Sequence, residues 1–145
     1  MATVKDLIIG AAVGYTWDDL KYWINSIRKS GFDGDVVLVG TNLKAETIQK
    51  LTSEGVLLNL YGTRQENGDV IAPTNNAPHV ERFFYLWEYL NSTKESYRYV
   101  ITTDTRDVVF QRNPSTWLER GLQMYPVVCS SEGLRYKNEP WGNQN

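Results

Sequence analysis

One cysteine, Cys129, in 145 residues excludes an internal disulfide framework and any zinc site built from several thiolates, and it is compatible with a reducing compartment. A buried, inert thiol is the expectation for it. Histidine is equally scarce: His79, beside Pro78 at the start of a helical pattern, reads as a cap or surface residue before it reads as a metal ligand. There is no long hydrophobic run. No stretch approaches the ~20 apolar residues of a membrane span, and Met1 to Asp6 lack a charged segment leading into an apolar core, so no membrane span and a cytoplasmic location are expected. Nor is there an excess of one charge. Fifteen Lys and Arg stand against 17 Asp and Glu, spread along the chain with no basic tract, which speaks against a nucleic-acid partner.

What is present fits an ordinary folded domain. Apolar residues make up 41% and charged residues 22%, close to the globular norm, and a chain of this length buries roughly two-thirds of its unfolded surface in one core. No internal repeat divides it.

Leu7 to Val13 is a continuous apolar run ending in small residues, as a buried parallel strand is, and Gly14 then allows a tight turn. Leu20, Trp23, Ile24 and Ile27 recur at helical spacing between Trp17 and Lys29, with Thr16 as N-cap and Gly31 as the stop. Asp35 to Gly40 repeats the strand pattern, Lys44 to Glu54 a helix closed by Gly55, and Val56 to Leu60 a third strand. A polar stretch rich in Gly, Pro and Asn then runs from Tyr61 to Pro78, longer than most connections. Helical periodicity resumes over His79 to Leu90, Tyr97 to Thr103 forms a fourth strand, and Pro126 to Ser130 a further one. This rhythm predicts an α/β fold of β-α-β units, with a mainly parallel sheet covered by helices on both faces. Trp17, Trp23, Phe83, Phe84 and Trp87 are read as core rather than as a carbohydrate platform.

The fourth strand runs directly into Thr103-Asp104-Thr105-Arg106-Asp107. Ligands of open α/β sheets bind beyond the carboxyl ends of the strands. Two carboxylates three residues apart in such a turn can converge on one hard divalent cation, Mg²⁺ or Mn²⁺, that bridges them to the phosphates of a substrate. The plainer alternative is that Asp104 caps the turn and Arg106 pairs with an acidic neighbour. The apolar strand before the turn and Val108-Val109-Phe110 after it hold these charges between buried segments, where charge needs a partner.

Tyr99-Val100-Ile101-Thr102-Thr103-Asp104-Thr105-Arg106-Asp107-Val108-Val109-Phe110-Gln111 resembles the D-x-D-type motif region of GT-A-fold glycosyltransferases. The D-x-x-D variant resembles that of the collagen-modifying glycosyltransferase domains. Val127-Val128-Cys129-Ser130-Ser131-Glu132 is similar to a segment that follows the metal motif in those same domains. The whole chain is also similar to a glycosyltransferase domain implicated in making viral capsid glycans. The resemblance implies a GT-A, Rossmann-like mixed sheet, a UDP-sugar donor, a glycan or glycoprotein acceptor, and Mn²⁺ or Mg²⁺ as cofactor. It implies that Asp104 faces ribose and metal, that Asp107 is the more direct metal ligand, and that Ala11, Ala12, Val13, Gly14 and Tyr15 cradle uracil and ribose, with Tyr15 stacking on the base. Such enzymes commonly add a later metal ligand, often histidine, and exceed this length. The expectation is therefore a single domain over 1–145 that lacks a C-terminal acceptor-binding portion.

Other residues carry paired readings. Arg82, on the helix before the acidic strand, either meets the acidic motif or a diphosphate, or belongs to a solvated Glu81-Arg82 face. Arg64, in the long polar stretch, either clamps phosphate or is an exposed loop arginine. Glu132, after the Pro126 to Ser130 run, could hold acceptor hydroxyls or donor sugar, as base or hydrogen-bond acceptor. Trp141 either stacks on a sugar ring or packs on the sheet edge, and packing is the favoured reading. The function expected is transfer of a hexosyl or deoxyhexosyl group from a UDP-sugar to a hydroxyl, with Asp104, Asp107 and Glu132 as catalytic residues. Two rivals stand beside it. One is a nucleotidyl- or phosphoryl-transfer enzyme, weakened by the lack of a G-x-x-x-x-G-K-[ST] loop; the other is a non-catalytic metal- or nucleotide-binding module.

Overall fold

A strand that is apolar at every position needs cover on both faces, and the fold supplies it. The computed structural model describes residues 4–73, 78–120 and 125–129. β1 (Lys5–Val13) leads into α1 (Trp17–Lys29), β2 (Asp35–Thr41), α2 (Ala45–Ser53) and β3 (Leu57–Leu60). A short hairpin follows, β4 (Thr63–Arg64) and β5 (Val70–Ile71), then α3 (Pro78–Ser92), β6 (Tyr97–Thr103) and α4 (Pro114–Glu119). The main sheet has the order β3-β2-β1-β6 and all of its pairings are parallel. The protein is thus α/β, with a four-stranded parallel sheet between helices.

Alternation along β1 divides the core. Ile8 and Ala12 face α1 and α2, packing with Leu20, Trp23, Ile24, Ile27, Ile48 and Leu51. Leu7 and Ile9 face the other way, with Val37, Val39 and Leu86 of α3. The chain steps from β1 to β2 to β3 across one face of the sheet and returns over the other through α3 to place β6 against the free side of β1. The helices after β1 and β2 thus cover one face of the sheet and the helix before β6 the other.

The α1 boundaries follow from its ends. Thr16 and Asp19 form a reciprocal capping box, with the Thr16 amide donating to the Asp19 carboxylate at 2.8 Å, and Gly31 closes the helix at φ +78°. α2 is capped from a distance: Asp69, just before β5, accepts the Ala45 amide and the Lys44 ammonium, both at 2.9 Å. The polar stretch after β3 is therefore tied back to the body of the protein, and Val70 bridges Leu43.

Three expectations are corrected. Phe83, Phe84 and Trp87 are not core: each is well exposed on the outer side of α3, while Tyr85, Leu86 and Tyr89 face the sheet. Trp23 is fully buried and Trp17 packs at the edge of the core as read. Pro126 to Cys129 form no strand, and Cys129 is exposed. Among the described strands every pairing in the main sheet is parallel, and the antiparallel pairing lies in the separate β4-β5 hairpin.

The buried Asp6 sits at the start of β1 and takes two bonds from the Arg98 guanidinium, at 3.0 and 2.8 Å. Burial pushes its carboxyl up, but the bonds and charge of Arg98 outweigh this and hold it below the ordinary 3.8. Asp69 is likewise held below 3.8, by the Ala45 amide first and Lys44 next. A carboxylate whose folded pKa lies below its unfolded value contributes stability above that unfolded value and loses it as pH falls through the folded one. Urea midpoints are therefore expected to be flat above about pH 5 and to fall steeply below 3.8. Asp6→Asn is expected to cost about 1.5 kcal/mol at neutral pH, the worth of a hydrogen bond to a charged partner, and to flatten the acid limb. An acid limb as steep in Asp6→Asn as in the wild type would show that this pair is not its source.

Candidate functional site

In an open parallel sheet the loops at the carboxyl ends diverge where the strand order reverses, and the gap they leave is where ligands settle. Here β1 sends its chain towards β2, while β6 lies on its other side. The reversal therefore falls between β1 and β6. Residues 11 to 15 leave one side of that gap and 103 to 107 the other, so the first-strand loop and the acidic turn share this end of the sheet.

The turn is pinned from below. Thr105 is buried and its hydroxyl donates to the Ala11 carbonyl at 2.9 Å, tying the acidic turn to the end of β1. Its methyl fills the space over Gly10, where a Cβ would come within 2.3 Å of it. Two residues before Thr105, at the end of β6, the Thr103 hydroxyl accepts the indole N–H of Trp23 at 3.0 Å. Beyond the turn, Val108 and Phe110 pack against the α1 side of the core, and the Phe110 amide donates to the Ser26 hydroxyl at 2.9 Å. With Thr105 held inside, Asp104, Arg106 and Asp107 are left on the surface.

Each of these charges has a distinct setting. Asp104 forms an ion pair with Arg82 of α3, so of the two readings of that arginine the structure gives the contact with the acidic motif. Arg106 lies over the Tyr15 ring, 5.6 Å from its centroid, and contributes to holding the Asp19 carboxyl low, after the Thr16 amide and hydroxyl. Asp107 is exposed and makes no hydrogen bond or ion pair among the described residues. On the β1 side, Gly14 turns the chain at φ +70°, a left-handed conformation that suits glycine, and its amide donates to the Thr41 carbonyl at 3.1 Å. Ala11 and Val13 are half-buried, Ala12 is buried in the core, and Tyr15 is half-buried with its ring against the core edge. At the end of β2 the Thr41 hydroxyl is buried without a partner among the described residues.

The residues expected to act together are thus partly assembled. The first-strand loop, Asp104, Asp107 and Arg82 lie at one end of the sheet. Arg64 is on β4, exposed and without an ion pair among the described residues. Glu132 and Trp141, like Ser130 and Ser131, lie outside the described residues, as does the side chain of His79. No cluster of three or more His, Cys, Asp or Glu able to hold a metal occurs among the described residues. The donors at the turn are two carboxylates, a set that suits Mg²⁺ or Mn²⁺: such ions keep several waters and are held by one or two carboxylates together with substrate phosphates. Thr105 and Trp23 were missed as supports of the site, and no motif marks them; only the pairing of β1 with β6 brings them under the turn.

No helix among the described residues is long and apolar enough to cross a membrane. The chain matches no protein-family model, no curated protein and no solved structure.

Proposed function

We propose that the protein binds a nucleoside diphosphate-sugar, of the UDP type, at the β1/β6 end of the sheet and transfers its glycosyl group to a hydroxyl of a glycan or glycoprotein. The observation that carries this reading is the position of the Asp104–Asp107 turn at the reversal of strand order, opposite the Gly14 turn of β1. The resemblance of residues 99–111 to the D-x-D region of GT-A glycosyltransferases supports it, and with it the finer fold assignment.

In this reading Asp107, with no partner among the described residues, is the first ligand of a divalent cation and Asp104 the second. The cation would supply Lewis-acid stabilisation of the charge on a departing diphosphate. Arg82 holds the Asp104 carboxylate in place and lends positive charge to the same end of the sheet, and oriented charge of this kind is the main way a leaving group is stabilised. Gly14 exposes backbone without a side chain, so a ribose or base can come close. The Tyr15 ring offers a face for the base, with Arg106 beside it, and stacking there contributes about 1 kcal/mol or more.

Titration calorimetry of the chain with UDP, with and without Mn²⁺, tests this. Binding is expected to require Mn²⁺ and to weaken at least about tenfold in Asp107→Ala, the loss of one of two charged ligands, while circular dichroism stays unchanged because the residue is exposed. Metal-dependent UDP binding of wild-type strength in that variant would falsify the assignment.

A further inference from the structure

A helix that is apolar all round is a helix covered all round. α3 is apolar on both sides. Tyr85, Leu86 and Tyr89 pack onto the sheet, whereas Val80 (61% exposed), Phe83 (61%), Phe84 (57%), Trp87 (60%) and Leu90 (37%) form its outer face. Their spacing of three and four residues makes one continuous stripe along the helix. Phe84 and Trp87 already touch along it, with ring centroids 6.0 Å apart.

We infer that this stripe is the seam of a symmetric dimer in which α3 packs against α3 of a second copy. The area is compatible with an assembly of this size, and the chemistry of the stripe selects it. Three aromatic side chains of roughly 200 Å² each, a little over half exposed, present about 350 Å², and the two aliphatic residues bring the stripe to about 500 Å². That lies at the upper end of apolar patches on monomers, ~300–600 Å². It is the right size for the apolar centre of a standard interface, which buries about 800 Å² per partner with a polar rim around it.

The chemistry selects the occupant. A membrane surface calls for a basic polar flank, but α3 has no Lys or Arg in its last turn, and Arg82 is engaged with Asp104. Stacking on a sugar uses flat aromatic faces, yet aliphatic Val80 and Leu90 stand at the two ends of this stripe. Ridges at i, i+3, i+4 and i+7 are what another helix packs into. A two-fold axis across the stripe covers it on both copies with a single patch, as an isologous interface requires. The antiparallel arrangement sets Phe83 and Phe84 of one copy towards Trp87 of the other. The acidic flank does not oppose this, since Glu81 accepts the Tyr85 hydroxyl on the sheet side of the helix. This dimer stands independently of the nucleotide reading.

Sedimentation velocity of the 145-residue chain across micromolar concentrations tests it. The expected result is a species of twice the 16.6 kDa chain mass that persists in molar salt, because the seam is apolar and not ionic. Trp87→Glu and, separately, Phe84→Ala are each expected to weaken association about thirtyfold, the loss carried by a central aromatic anchor. Tyr22→Glu, at an equally exposed position on α1 (61%), is expected to leave it unchanged. A wild-type chain that stays at 16.6 kDa, a dimer that survives both α3 substitutions, or one that Tyr22→Glu dissolves overturns the proposal. So does a monomer that binds anionic vesicles through Trp87.

Discussion

Trp23→Ala is expected to lower the stability of the protein by about 4 kcal/mol, within the usual range for emptying a buried tryptophan site. Set against total stabilities of ~5–15 kcal/mol, this is a large fraction of what holds a domain folded. Trp23 is completely buried between α1 and the sheet, packed with Ile8, Leu20 and Ile27. It also reaches the site, because its indole N–H donates to the Thr103 hydroxyl at 3.0 Å, one residue before Asp104. The two contributions separate by substitution. Trp23→Phe keeps most of the apolar volume and loses the donor, whereas Thr103→Val keeps the indole and leaves its N–H without an acceptor, at a cost of about 1–3 kcal/mol. Urea unfolding reads all three as shifts in midpoint at constant slope. A shift in Trp23→Ala equivalent to less than about 1 kcal/mol would mean that this side chain is not the centre of the α1-side core.

Much of this arrangement is legible before any coordinates. The β1 and β2 runs contain no alternating polar positions that a half-solvated strand would show, so a two-sided core follows from residues such as Leu7, Ile8 and Ile9 alone, whereas β6 alternates between half-buried and exposed positions. α1 begins and ends where Thr16 and Gly31 place it. The acidic turn stands out in the sequence because charge follows directly on the apolar run Val100-Ile101, although β6 itself is only half-buried, at the end of the described sheet. What escaped depends on partners distant in sequence. Periodicity identifies the residues that share a helical face, but α3 has two apolar faces, and whether Phe83 or Tyr85 turns inward is set by the sheet beneath it. Pairing of Asp69 with the start of α2 spans 24 residues and leaves no local pattern. The β4-β5 hairpin has two-residue strands, too short for alternation to register, and its anchor is the bridge from Val70 to Leu43. Thr105 is the sharpest case. It stands between the two charges that drew attention, and it is the residue that positions them.

That role of Thr105 predicts a specific pair of non-additive effects. Gly10→Ala is expected to cost about 2–3 kcal/mol, as overpacking of a closed core does, because the new methyl would come within 2.3 Å of the Thr105 Cγ2. The threonine cannot simply turn away, since its hydroxyl is committed to the Ala11 carbonyl. Thr105→Ser removes the obstructing methyl and keeps the hydroxyl, so in Gly10→Ala/Thr105→Ser at least about 1 kcal/mol of the loss should return, as coupling between touching residues allows. The remaining neighbours, the Thr103 carbonyl at 3.2 Å and Trp23 Cζ2 at 3.3 Å, are tight but tolerable contacts and account for the part not recovered. Gly40→Ala provides the contrast. There a Cβ would meet the Ala12 carbonyl oxygen at 2.1 Å, and since that oxygen belongs to the backbone of the neighbouring strand, no side-chain replacement makes room for it. Urea midpoints of the four proteins in the Gly10/Thr105 cycle decide the matter. Strictly additive losses would show that the turn bearing Asp104 and Asp107 is held by something other than the fit of Thr105 over Gly10.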